Sequence, residues 1–323
     1  MDAIADISKK SVKRDANRVG SGLILYTIVM YVVAIIYMTV ASVHIILTYP
    51  NDPIQQMMLD KFVASLEESG TYMLCGVVIG VLFLCFFFRK SISVRDLFES
   101  KKKMTAQAFF RVLCVFMGGQ LLFSIGSQLL EMGLNVLGYS ALQSIENASG
   151  VSTTMSMFLY ASIVGPIVEE IIFRGFVLRT FRKYGKMTAI MVSAVLFGVM
   201  HANLPQGVFA FGVGIVLGYV AVEYSIGWAI ALHIINNCLF GDLLGIAIAG
   251  LSESTQNIIL NGVLIIFAIL AVCILWRKRK SMKLFCQNNK GIRKLYGYIY
   301  TSIGILIYIV AEVVVAICML EPL

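Results

Sequence analysis

Residues 23–47 read LILYTIVMYVVAIIYMTVASVHIIL, an unbroken apolar run whose only ionisable groups are tyrosines and His44. A helix rises ~1.5 Å per residue and the hydrocarbon core of a bilayer is ~30 Å thick, so a run of this length is enough to cross it. It is too long for the apolar region of a cleaved signal peptide and has no small-residue cleavage site after it. Similar runs recur along the chain. By the same criterion about nine spans are expected, near 22–48, 70–88, 107–134, 155–178, 187–202, 204–222, 226–248, 256–276 and 296–318. The fold class is therefore all-α, a polytopic transmembrane helical bundle. We divide it into an N-terminal membrane region of about three spans (1–154), a central group of helices (155–248) and C-terminal spans with a basic loop (249–323).

Composition agrees. Of 323 residues, 59% are hydrophobic and 14% charged, against ~45–50% and ~25% in soluble domains. The net charge of +8 does not point to nucleic acid, because the basic residues sit mostly in short segments between runs. There they act as topology signals and as contacts for anionic headgroups of membrane lipids. Lys9, Lys10, Lys13, Arg14 and Arg18 precede the first span, Arg89 to Lys103 follow the second, Arg179 to Lys186 the fourth, and Arg277 to Lys294 the eighth. The intervening loops are acidic or uncharged. This alternation predicts a cytoplasmic N-terminus and an outer C-terminus, and the small cytoplasmic loops point to a prokaryotic plasma membrane. Ser91–Lys103 mixes apolar and charged residues and is expected to lie on the cytoplasmic surface as a short amphipathic helix. The seven cysteines have no paired spacing, so neither a disulfide framework nor a zinc knuckle is expected.

Ionisable groups inside spans are costly and mark function by default. The fourth span reads Gly165-Pro166-Ile167-Val168-Glu169-Glu170-Ile171-Ile172-Phe173-Arg174-Gly175. On a helix, Glu170 and Arg174 lie about 40° apart and can pair, while Glu169 lies roughly 140° from Arg174 and shares a face with Phe173. One cation for two carboxylates leaves Glu169 as a candidate general base. The fifth span ends Phe197-Gly198-Val199-Met200-His201, and the seventh holds His233-Ile234-Ile235-Asn236-Asn237. Phe197 and His201, like His233 and Asn237, are four apart and share a helix face. Asp242 lies about 180° around from His233, so a straight helix cannot aim both at one site. Asp242, Glu312, His44, Arg111 and Glu131 are assigned local hydrogen bonds or interfacial contacts, and Asn203 the outer turn before Pro205.

Carboxylate, imidazole and amide around one water make a hydrolytic arrangement, with the carboxylate as base and N–H donors for the oxyanion. The same groups can also be drawn as a zinc site through Glu169, His201 and His233 with an open position, although H-E-x-x-H is absent. Bland readings exist too. The glutamates could simply complete a buried ion-pair network, and the histidines could be packing groups.

Taken in order, Glu169-Glu170-x-x-x-Arg174, Phe197-x-x-x-His201 and His233-x-x-x-Asn237 resemble the three-motif signature of the CPBP family. That family contains the CAAX prenyl endopeptidases and the bacteriocin-processing or self-immunity proteins. The resemblance covers roughly residues 155–245. It implies an intramembrane endopeptidase, described as metallopeptidase or glutamate-dependent, acting on a membrane-anchored or membrane-spanning peptide or protein. It implies that Glu169 activates water, that His201 helps position it, that His233 and Asn237 stabilise the oxyanion, and that Glu170, Arg174 and Phe197 support them. A site within the bilayer opening to the cytoplasm is expected. No cofactor is required by the sequence, and zinc remains possible. A non-catalytic self-immunity or scaffold protein and a proton-coupled transporter are the alternatives.

Overall fold

The computed structural model describes residues 8–50, 54–89 and 102–323. Among them the chain is helical apart from turns and one two-residue ladder, in which β1 (Tyr139–Ser140) runs antiparallel to β2 (Glu321–Pro322). The helices are α1 (Lys9–Thr48), α2 (Ile54–Glu68), α3 (Thr71–Phe88), α4 (Ala106–Val136), α5 (Leu142–Ser149), α6 (Met155–Arg182), α7 (Lys186–Met200), α8 (Leu204–Glu223), α9 (Ile226–Ile248), α10 (Glu253–Asn288), α11 (Arg293–Tyr300) and α12 (Ile303–Cys318). The expected Ser91–Lys103 surface helix falls, except for its last two residues, outside the described residues.

The protein is an all-α polytopic bundle. Seven of these helices (α1, α3, α4, α6, α8, α9 and α10) are long and apolar enough to cross a bilayer. Large apolar side chains stand out from them, among them Leu47, Val136 and Ile258 at 73%, 86% and 70% exposure. Apolar surface on that scale requires lipid rather than water around it.

Two of the nine expected runs take other forms. The run at 187–202 is α7, only 15 residues long, short of the ~20 a span needs. It is an interior helix, with Ala189, Ile190, Val192, Leu196 and Phe197 buried. The last run is the pair α11–α12, bent by 70°. The bend leaves the N–H of Gly304 without an intrahelical partner, and Asn17 Oδ1 of α1 accepts it at 3.0 Å.

Local chemistry sets the turns around the centre. Gly185, at φ 114°, supplies the left-handed turn that folds α7 back on α6. Asn203 caps α8 by accepting from Gln206 N at 3.1 Å, and its Nδ2 donates to Ser144 O at 2.8 Å. α8 packs along α7 and reaches α4, which packs along α10, while α1 packs on α3 and α12. The core where α1, α3, α6, α7 and α8 meet contains Phe88, Val168, Ile172, Phe173, Phe176 and Phe197.

Candidate active site

α6 is not a uniform helix. Leu159–Val164 and Ile171–Val177 are π-helical, and the α-helical piece between them, Gly165–Glu170, carries both glutamates. Such widened turns re-aim side chains and concentrate at functional sites. A Cβ on Gly165 would lie 2.7 Å from Tyr160 O, so the turn entering this piece admits only glycine there.

The two adjacent glutamates have different surroundings. Glu170 is fully buried, and its Oε1 lies 3.0 Å from Arg174 Nη1 and 3.0 Å from His233 Nδ1. The Glu170–Arg174 pair is the one expected from their spacing. Arg174 is equally buried. Its guanidinium lies over the Phe197 ring at 4.3 Å, and its Nη2 donates to Gly214 O at 3.4 Å. Glu169 keeps 22% of its side chain exposed, and its Oε2 lies 3.8 Å from His233 Nε2. That is beyond a direct hydrogen bond, yet close enough for one water at ~2.8 Å from each atom to bridge them.

Phe197 is the hub of the site. Its ring meets His201 edge-on at 5.0 Å, His233 at 5.9 Å and Phe173 at 5.3 Å. Both imidazoles are oriented by acceptors. His201 Nδ1 lies 2.9 Å from Phe197 O, and His233 Nδ1 faces the Glu170 carboxylate. A carbonyl and a carboxylate only accept, so each Nδ1 carries a hydrogen and each Nε2 is turned to the remaining space. His201 lies within electrostatic range of Glu169, His233 and Arg174.

Asn237 reaches the same region from α9, whose stretch Ile235–Leu243 is also π-helical. Its Nδ2 donates to Ala161 O at 2.9 Å and its Oδ1 accepts from Asn236 Nδ2 at 2.8 Å. One N–H of its amide therefore holds α6, and the second stays available. Asp242 faces elsewhere, accepting from Ser152 N at 2.6 Å, from Ser152 Oγ at 3.1 Å and from Ser162 Oγ. Glu312 accepts from Thr27 Oγ1 at 3.1 Å, and Glu131 from Ser140 Oγ and Ala141 N.

Three further residues at the site escape a reading by motif. Tyr26 of α1, which is buried, and Tyr160 of α6, which is half-buried, are phenols within electrostatic range of Glu169. Gln120 of α4 donates to Asn236 Oδ1. A tyrosine in an apolar run carries no signal, whereas a lone amide such as Gln120 within a span does. Among the described residues, no three His, Cys, Asp or Glu side chains converge closely enough to hold one ion. The drawn zinc set of Glu169, His201 and His233 is therefore not gathered as one ligand group, although the Nδ1 contacts of the two histidines leave each Nε2 unengaged.

The geometry can be set beside known proteins. Residues 151–239 match the family described as Rce1-like, type II CAAX prenyl endopeptidase. Over 83 residues the chain is 32% identical to a Bacillus subtilis (strain 168) protein named "Putative membrane peptidase YdiL", covering 25% of this chain and 34% of that protein. The chain thus spans about a third of the length of this relative. No solved structure matches. The match at 151–239 contains the helices that bring the two glutamates, both histidines and Asn237 together, so the likeness to the CAAX prenyl endopeptidase family falls on the segment that builds the site.

Proposed function

We propose that the protein is an intramembrane endopeptidase that hydrolyses a peptide bond of a membrane-attached substrate with water activated by Glu169. The observation that carries this reading is the unequal fate of the two glutamates. Glu170 is consumed by Arg174 and His233, while Glu169 is accessible and 3.8 Å from the free nitrogen of His233.

In this mechanism Glu169 takes a proton from a water as its oxygen attacks the scissile carbonyl carbon. His201, held at Nδ1 by Phe197 O, accepts the water's other hydrogen at Nε2 and so sets its direction. The carbonyl oxygen becomes an oxyanion, which takes hydrogen bonds from the second N–H of Asn237 and from Nε2 of His233 in its protonated form. Collapse of the tetrahedral intermediate breaks the C–N bond, and Glu169 returns its proton to the leaving amine. Glu170 and Arg174 hold the His233 ring and do not exchange protons with substrate.

The name of the matched family supports a prenylated C-terminal peptide as the first substrate to try. The charge alternation of the loops supports a cytoplasmic N-terminus. The test uses purified protein in proteoliposomes with a panel of membrane-anchored peptides, a farnesyl-cysteine CAAX peptide among them, and reads products by mass spectrometry. The expected result is cleavage by the wild type and at least a thousandfold loss in Glu169→Gln at unchanged thermal stability. Wild-type turnover in Glu169→Gln, or no peptide cleaved by the wild type, overturns the reading.

A further inference from the structure

Asn237 is the last of three carboxamides in series. Gln120 Nε2 on α4 donates to Asn236 Oδ1, Asn236 Nδ2 donates to Asn237 Oδ1 at 2.8 Å, and Asn237 Nδ2 donates to Ala161 O at 2.9 Å. The relay runs from α4 through α9 to the π-helical turn of α6 that precedes Glu169. Gln120 lies outside the segment that matches the peptidase family.

The direction of the relay is forced. The two ends of a carboxamide are nearly equal in shape, so its partners decide which way it faces. Ala161 O can only accept, which turns the nitrogen of Asn237 towards α6 and its oxygen towards Asn236. Asn236 must then give its nitrogen to Asn237 and turn its own oxygen to α4. Only a donor on α4 completes the set. Asn236 is 9% exposed, and within a span an unpaired amide oxygen finds no water in its place. A packing amide used merely as glue would work in either orientation. This one works in a single orientation.

We propose that Gln120 is a positioning residue for the peptidase chemistry, fixing the orientation of Asn237 so that its second N–H is presented to the oxyanion. The inference rests on the reading of Asn237 given above. It predicts which changes matter. Gln120→Glu keeps the length but, ionised, can only accept, so Asn236 has to turn over and present its oxygen to the oxygen of Asn237. Gln120→Met keeps the bulk and neither donates nor accepts.

The test has two arms on the full chain in lipid nanodiscs. The first labels asparagine with 15N, assigns the side-chain amides of Asn236 and Asn237 by single substitutions, and follows their shifts and solvent exchange. The expected result is a shifted Asn237 amide, with exchange at least tenfold faster, in both Gln120 variants. Unchanged Asn237 signals in Gln120→Glu overturn the proposal, whether or not a peptide is cleaved. The second arm measures cleavage of the farnesyl-cysteine peptide. A positioning role lowers kcat ~10–100-fold at unchanged KM, as a misplacement of about 1 Å does, and adds nothing further in the Asn237→Ala background. An equal loss in both backgrounds overturns it, as does a loss confined to thermal stability. Absence of cleavage by the wild type sinks the catalytic reading, while the first arm still decides on the relay.

Discussion

Glu169 and Glu170 are neighbours in sequence, yet the consequences of removing their charges should be opposite. Arg174→Met leaves Glu170 fully buried without its cation, and breaking a buried pair from one side costs roughly 3–5 kcal/mol. The double change Glu170→Gln with Arg174→Met removes both charges and should recover most of that loss. Thermal unfolding in detergent checks the order: Arg174→Met lowest, the double variant between it and wild type, and Glu169→Gln indistinguishable from wild type. If Arg174→Met unfolds with the wild type, the pair contributes nothing to stability. The Glu170–Arg174 contact could be read from the chain because residues four apart on a helix face each other. The contact of His233 with both glutamates could not, since it joins residues 63 and 64 apart in sequence, and no local periodicity encodes a contact between helices. The same holds for Phe197. Its motif spacing predicted a shared face with His201, but its place under Arg174 and between two imidazoles is a property of the assembled bundle.

Among the helices, α7 and α8 cross where glycine meets glycine. A Cβ on Gly198 would lie 2.6 Å from Gly207 O and 3.2 Å from Phe211 Cβ, while one on Gly207 would lie 2.9 Å from Gly198 O. Small residues at such crossings let backbones approach closely. Three residues beyond Gly198, α7 delivers His201. Gly198→Ala should therefore push α8 away, cost ~1–3 kcal/mol as overpacking does, and lower kcat more than it raises KM by displacing the His201 ring. Gly207→Ala meets a looser fit and should be milder in both respects. Peptide cleavage and thermal midpoints of the two variants check this, and a Gly207→Ala defect larger than that of Gly198→Ala would contradict it. The apolar runs behind these helices were legible because hydropathy sums over a whole window, so all nine appear as helices. What each run becomes was not. The shortness of α7, the 70° bend before α12 and the three π-helical stretches in α6 and α9 depend on which distant group takes up the released N–H or carbonyl. Asn17 does so for Gly304, and Ala161 is fastened by Asn237. The straight-helix geometry used to set Asp242 apart from His233 was therefore only approximate, although Asp242 does bond to Ser152 and Ser162 instead.

Across the whole molecule, polar ties lock the two ends of the bundle. At one end β1 pairs with β2, and Leu323 N donates to Gly138 O at 3.1 Å. At the basic end Glu223 of α8 pairs with Lys102 and with Lys186, and Asp15 of α1 takes Lys183 and the hydroxyl of Tyr184, the latter at 2.6 Å. These ties join α1 to the end of α6, and α8 to the starts of α4 and α7, so the helices carrying the site are held from outside the 151–239 segment. They also predict an alkaline limit. The hydrogen bond and charge of Glu223 hold Lys102 above the ordinary lysine value. Burial lowers Lys183, but Asp15 more than offsets it and leaves it raised, and burial with Asp15 raises the Tyr184 phenol as well. A group raised in the folded state stabilises fully below its unfolded value, and that contribution is lost as pH climbs through the folded one. With unfolded lysine near ~10.4 and tyrosine near ~10, the thermal midpoint should be flat with respect to these groups from pH 6 to about 9 and fall above about 10. Asp15→Asn removes the anchor shared by Lys183 and Tyr184. It should lower the midpoint at pH 7, where the tie is intact, and lower it less at pH 10.5, where the tie is already failing. Thermal unfolding in detergent at the two pH values reads the difference directly. Equal losses at both would mean that the alkaline limit arises elsewhere and that the α1–α6 tie does not hold this end of the bundle.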